Sequence, residues 1–142
     1  MKSLVVGLGF GQLYVNILKR MGHEVITVDI NPNAGADFTE LTTAITAHAP
    51  FDTAHICVPN HLHYKTALKL AEHTKIVFVE KPGVETINHW RLLTNLNKST
   101  RFMMTKNNQW RNNIKQIAEN CEASDMIQIN WVNKNRIPGP GT

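Results

Sequence analysis

Five short apolar runs, each followed by a stretch whose apolar residues recur at helical spacing, constrain this chain more than any other feature. The runs are Leu4–Val6, Val25–Ile30, Ala54–Val58, Ile76–Val79 and Arg101–Thr105. The fourth, Ile76-Val77-Phe78-Val79, is short, uncharged and rich in β-branched residues. That combination reads as a strand buried on both faces of a parallel sheet. Leu13, Ile17 and Met21 recur at i, i+4 and i+8, one face of a helix that Gly22 ends. Phe38, Leu41 and Ile45 mark a short second helix. Tyr64, Leu68 and Ala71 mark a third, and Ile87, Trp90, Leu93 and Leu96 a fourth. Trp110, Ile114, Ile117 and Cys121 mark a fifth. Strand–helix alternation of this kind predicts an α/β fold with a doubly wound parallel sheet.

The last predicted strand is of another kind. Over Met126–Val132, Ile127, Ile129 and Trp131 alternate with Gln128 and Asn130, the pattern of a half-exposed sheet. The tail from Asn133 to Thr142 has too little apolar content to continue a core. The expected organisation is therefore a domain over 1–122, then a strand and tail over 123–142 that begin a second domain. Ile127, Ile129 and Trp131 need a cover. The expectation is a homodimer, or a partner chain, through this C-terminal strand.

Composition narrows the function. The chain has 142 residues and a net charge of +4. Its basic residues are scattered, with Lys19-Arg20 the only adjacent pair. A nucleic-acid footprint calls for a basic stripe, so nucleic acid is not expected as a partner. No stretch approaches the ~18 apolar residues of a membrane span. Gly7, Gly9 and Gly11 interrupt the N-terminal apolar run too early for a signal peptide. Cys57 and Cys121 form neither a disulfide framework nor a metal spacing, and His55, His61 and His63 lack partners at ligand spacing. Cys57 lies in a predicted buried strand and reads as a small core residue. No metal is expected, and the cytoplasm is the default compartment.

Gly7-Leu8-Gly9-Phe10-Gly11 follows the first strand and opens the first helix, the context that gives such a motif weight. Gly7 permits a tight turn, Gly9 lets the backbone approach a pyrophosphate, and the helix N-terminus supplies N–H donors. The third glycine stands one place early for G-x-G-x-x-G, where Gln12 is found instead. Either the turn is tighter by one residue, or Gly11 packs the helix onto the sheet. Asp29 ends the second strand ~20 residues further on, where a carboxylate accepts from adenosine ribose hydroxyls. It would repel a 2′-phosphate and no arginine follows it, so NAD is favoured over NADP. Asp29 can also simply start the Asn31-Pro32 turn. A G-x-G-x-G turn suits S-adenosylmethionine methyltransferases as well, but their acidic residue two places before the first glycine is here Val5.

Three stretches together resemble the cofactor domain of the glucose–fructose oxidoreductase/inositol 2-dehydrogenase (Gfo/Idh/MocA) family. They are the glycine turn with Asp29, Val58-Pro59-Asn60-His61-Leu62-His63 after the third strand, and Glu80-Lys81-Pro82 after the fourth. Arg136-Ile137-Pro138-Gly139-Pro140 resembles the start of that family's second domain. The resemblance implies a Rossmann-type fold, with Gly7, Gly9, Phe10, Gly11, Asp29, Val58, Pro59, Asn60, His63, Glu80 and Lys81 at a nicotinamide dinucleotide. It implies that Lys81 is the catalytic lysine beside the nicotinamide and a sugar or polyol hydroxyl. Glu80 would orient the site and Pro82 fix the turn, as a cis bond. Asn60 and His63 would lie near the nicotinamide ribose, though Asn60 also suits an N-cap. Full-length members carry a second α/β domain with the acid–base pair, which has no counterpart in this sequence. The expectation is therefore the NAD-binding half of a dehydrogenase, incomplete by itself. The alternative is a binding module that senses NAD without turnover.

Overall fold

The structure, a computed structural model, describes residues 1–96 and 99–106, with Gln116 and Glu119. The chain divides into two compact units, Met1–Lys106 and Asn107–Thr142, and the fold described is that of the first. The expected fifth helix, the strand over Met126–Val132, the boundary after residue 122 and the tail lie outside the described residues.

Five parallel strands form one sheet in the order β2-β1-β3-β4-β5. They are β1 (Lys2–Val6), β2 (Glu24–Val28), β3 (Phe51–Ile56), β4 (Thr74–Val79) and β5 (Arg101–Met104). Helices α1 (Leu8–Arg20), α2 (Leu41–His48), α3 (His63–Leu70) and α4 (Ile87–Leu96) make the crossovers. This is a Rossmann-type α/β fold. The larger core joins Leu4, Val6, Ile26, Val28, Ala54, Ile56, Val77 and Val79 to Ala44 of α2, Ala67 and Leu70 of α3, and Leu93 of α4. The opposite face carries the smaller cluster of Val5 with Leu8, Val15 and Leu18 of α1. Strand alternation assigns the two sets: Leu4 and Val6 point one way and Val5 the other.

The α1 face is the more polar one. Ser3 Oγ hydrogen-bonds Thr53 Oγ1 at 2.8 Å and His23 Nδ1 at 2.8 Å, so these groups keep partners inside the sheet layer. Ile76 and Phe78 are only half-buried on that face, so β4 is less enclosed than its apolar run predicts.

The sequence periodicity locates α1 correctly but selects the wrong face. Leu13 is 51% and Met21 66% exposed, with Ile17 also exposed. The core side is Leu8, Gly11, Val15 and Leu18. Leu13, Ile17 and Met21 are spaced by four and the buried set by three, four and three, both helical, and Gly11, with no side chain to score, hides the buried stripe from a hydropathy pattern. Gly11 sits there because a Cβ would come 2.9 Å from Val5 Cγ1 and 3.4 Å from Cys57 Cβ. This decides between the two readings of the early third glycine: Gly11 packs the helix on the sheet, while Gln12 is exposed and bonds Asn16.

Other departures are small. Phe38 precedes α2 and forms an isolated bridge with Val28. β3 ends at Ile56, so Cys57 lies beyond the strand and is half-buried rather than a core residue. Ile87 and Leu96 of α4 are exposed, and Leu93 carries its burial. The end of α1 is as expected: Gly22 adopts φ +78°, and its N–H donates to the Lys19 carbonyl at 3.0 Å.

The two faces of α1 make a direct test. Leu18→Ala should lower unfolding free energy by about 2–5 kcal/mol, the range for an emptied core leucine. Leu13→Ser should change it by no more than about 0.5 kcal/mol. Urea denaturation of the two variants measures both.

Candidate functional site

The carboxyl ends of the strands meet around Gly7. Its N–H donates to the Val28 carbonyl at 2.8 Å, and the Cys57 N–H donates to the Val6 carbonyl at 2.8 Å. Gly7 has φ +89°, and a Cβ on it would lie 2.8 Å from the carbonyl carbon and oxygen of Cys57. Only glycine has both the backbone freedom and the missing side chain this approach needs. The chain then enters α1 at once, so the N–H groups of its first turn open beyond the sheet. Gly9 has no neighbour within 4 Å of a Cβ position and is exposed, leaving space over that turn.

Asp29 follows β2 and faces this turn. Its Oδ2 accepts the Leu8 N–H at 2.6 Å and its Oδ1 accepts the Asn31 N–H at 2.8 Å. Asp29 thus starts the Asn31-Pro32 turn, and its carboxylate also stands at the N-terminus of α1. A carboxylate has about four lone-pair positions, so capacity for ribose hydroxyls remains.

Two clefts flank the glycine turn, with Val58 lining both. The first has a volume of about 320 Å³ and is lined by Gly7, Asp29, Ile30, Pro59, Lys65 and Lys69, among others. The second, of about 240 Å³, is lined by Phe10, Cys57, Val58, Asn60, His63, Glu80 and Lys81. Six of the residues named from the sequence thus share the second cleft. Gly9 and Gly11 line neither: the one opens the turn and the other packs the helix.

Glu80 is buried and its geometry is closely held. Its N–H donates to the Ile56 carbonyl at 3.0 Å, which carries the chain past β4 alongside β3. The Tyr14 hydroxyl donates to Glu80 Oε1 at 2.5 Å, and the Lys81 N–H donates to Oε2 at 3.2 Å. Burial, and then the adjacent Glu80 carboxylate, push the Tyr14 phenol well above its ordinary range, so it stays a donor. Lys81 itself is exposed, and the Lys81–Pro82 bond is cis, as expected. The lysine therefore leaves the sheet from a backbone fixed on the Glu80 side and lines the cleft.

His63 is fully buried at the start of α3. Its Nδ1 lies 2.5 Å from the Gly83 carbonyl and its Nε2 2.8 Å from the Val58 carbonyl. The ring ties the loop after β3 to the loop after β4, and both nitrogens are used by backbone. Asn60 is exposed; its carbonyl accepts the His63 N–H, and its side chain makes no hydrogen bond among the described residues. Pro59 takes the N-cap position of the short 3₁₀ turn Asn60–Leu62, so Asn60 does not act as the cap.

Two participants were not expected. Tyr14 has no local signal, because it meets Glu80 across 66 residues of sequence. Cys57 has burial, and then Glu80, pushing its thiol up to about 12, so it remains a neutral lining group. Among the described residues, no three His, Cys, Asp or Glu side chains converge as a metal site, and no helix is long and apolar enough to cross a membrane.

The family model described as the oxidoreductase family with an NAD-binding Rossmann fold, Gfo/Idh/MocA, matches residues 1–107. The chain belongs to this family. Its cofactor is accordingly NAD, and the groups present are compatible with it: an open glycine at a helix N-terminus leaves room for a phosphate, and the Asp29 carboxylate can accept from hydroxyls. A search of curated proteins finds no match. Among solved structures, an NAD-binding protein from Listeria innocua is 26% identical (TM-score 0.70), over 83% of this chain and 40% of that one. The WlbA dehydrogenase from Bordetella pertussis, solved with NADH and UDP-GlcNAcA, is 20% identical (TM-score 0.73), over 83% and 40% of the two chains. A myo-inositol dehydrogenase from Lactobacillus casei, solved with NAD(H) and myo-inositol, is 20% identical (TM-score 0.72), over 84% and 40%. The chain thus spans about 40% of the length of these proteins.

His55 packs against Tyr14, tilted with ring centroids 5.0 Å apart, and stacks on Phe78 at 4.9 Å. Neither of its ring nitrogens has a partner. Burial, and then His23, lower its pKa from 6.5 to about 4, with Glu80 opposing. In the unfolded chain this imidazole takes a proton at the higher pH, so its contribution to stability is present above pH 6.5 and is lost as pH falls towards about 4. The loss should reach about 3 kcal/mol, and His55→Phe should flatten that part of the acid limb. Denaturation at a series of pH values compares the two proteins.

Proposed function

We propose that this chain supplies the cofactor side of an oxidoreductase that transfers hydride between NAD and a hydroxyl-bearing carbon of a sugar or polyol. The observation that carries the reading is the second cleft, where Lys81 and Glu80 share a wall with Phe10, Asn60 and His63. The bound dinucleotide would accept or give the hydride; the chain's own residues position and polarise.

In this reading the glycine turn and Asp29 hold the adenosine and phosphate portion, and the nicotinamide lies in the second cleft. The Lys81 ammonium donates a hydrogen bond to the oxygen of the reacting carbon and stabilises negative charge developing there. Glu80 acts through Lys81 by anchoring the lysine's backbone N–H. Asn60, with its side chain free among the described residues, has an amide available for a ribose hydroxyl. Sugar- and polyol-type substrates are supported by the family and by two structural relatives solved with such compounds. We also infer that the compartment is the cytoplasm and that the active form pairs with another chain.

Two variants test the reading. Gly9→Val should leave thermal stability nearly unchanged, because nothing in the protein meets the added side chain. It should weaken NADH binding, followed by nicotinamide fluorescence, by more than about tenfold. Equal affinity in the two proteins would remove the dinucleotide from this turn. With a substrate-side domain joined to the chain, Lys81→Ala should lower NADH production from polyol or sugar substrates by about 10²–10³-fold, with NADH affinity changed by less than about threefold. NADH binding without turnover in that joined form would favour the binding-module reading.

A further inference from the structure

We propose that the Glu80 carboxylate, held by Tyr14, biases the second cleft towards the oxidised cofactor: it raises the affinity for NAD⁺ relative to NADH above what an uncharged side chain there would give. The proposal rests on the nicotinamide lying in that cleft. The oxidised ring carries a positive charge, which is neutralised when a hydride arrives with its electron pair. A fixed anion in the same cleft therefore separates two forms that differ little in shape.

Glu80 and Lys81 are the acidic and basic members of the cleft lining, beside the neutral Cys57 thiol and His63, whose two ring nitrogens both lie against backbone carbonyls. The two charges do not act equally. Lys81 is exposed, so water and salt screen its ammonium. Glu80 is 7% exposed, and a charge in a low dielectric acts more strongly over the same distance. Its surroundings hold the ionised form. The Tyr14 hydroxyl donates to Oε1 at 2.5 Å and the Lys81 N–H to Oε2 at 3.2 Å, and an acceptor of both is what a carboxylate offers. The ion pairs among the described residues are Lys75–Asp52 and His89–Glu85, and neither involves Glu80, so no side-chain cation cancels its charge at contact. Tyr14 does not line the cleft; it acts through Glu80 as a positioning residue.

Calorimetric titration of NAD⁺ and of NADH into the wild type, Glu80→Gln, Glu80→Asp and Tyr14→Phe tests this, with folding of each variant checked by thermal melting. The readout is the ratio of the two affinities, because a general loosening of the site weakens both forms alike. Glu80→Gln should lower the NAD⁺-to-NADH affinity ratio by about fivefold or more. Glu80→Asp keeps the charge, and its ratio should stay within about twofold of the wild type even where both affinities fall. Tyr14→Phe takes one donor from a buried carboxylate, a group that then neutralises, and should lower the ratio by about twofold or more. Where Glu80→Gln does not fold, Tyr14→Phe decides. Equal weakening of both forms in Glu80→Gln, or the same fall of the ratio in Glu80→Asp, would overturn the proposal while leaving the nicotinamide in the cleft. An unchanged ratio in Tyr14→Phe beside a lowered one in Glu80→Gln would remove Tyr14 from it. Unchanged affinities for both forms in Glu80→Gln would remove the nicotinamide from this cleft, and failure of the wild type to bind either form would overturn the cofactor reading itself.

Discussion

The approach of Gly7 to the Cys57–Val58 peptide is the contact on which the site depends. Three parts of the chain converge there: the end of β1, the loop after β3 and the first turn of α1. A side chain on Gly7 would overlap the Cys57 carbonyl, so the turn closes only without one. Its closing lets the Val28 and Val6 carbonyls accept their bonds and lines up the strand ends. The ligand crevice of a parallel sheet lies beyond those ends. Here it is divided by the glycine turn into an Asp29 side and a Lys81 side.

A second layer of constraint holds the Lys81 side. The phenol of Tyr14, packed against His55, donates to a buried carboxylate, and that carboxylate takes the N–H of the very lysine it precedes. His63 then ties the two loops that border the same cleft. The flexible, exposed Lys81 side chain therefore rises from a backbone with little freedom. Pre-organisation of this kind is what electrostatic stabilisation of a developing charge requires. Its cost is buried polarity, visible in the unpartnered His55 ring.

Much of this was legible along the chain. Uninterrupted β-branched runs mark strands of a parallel sheet because both of their faces meet other layers. Gly7, Asp29 and Glu80-Lys81-Pro82 stand just beyond such runs, so their place at the ligand end follows from sequence order. The failures have one physical source. Hydropathy spacing reports that α1 is helical, but Leu13–Ile17–Met21 and Val15–Leu18 are rival stripes on the same helix. What chose between them was the surface of β1 and β3, where Gly11 fits against Val5 and Cys57. Cys57 likewise left the core because β3 stopped one residue before it.

The order of apolar runs, the glycine turn and the charged pair before Pro82 determined by themselves a Rossmann-type sheet with a dinucleotide crevice at its carboxyl ends. These are local signals, written within a few residues of where they act. The partners of the site were decided only in three dimensions. Tyr14 reaches Glu80, His63 reaches Gly83, and Lys65 and Lys69 come to line one cleft with Asp29 because the sheet order β2-β1-β3-β4-β5 brings distant segments to one edge. No periodicity encodes such a pairing. It arises from the right-handed crossovers that return each strand beside another, and these set which side chains share a cleft.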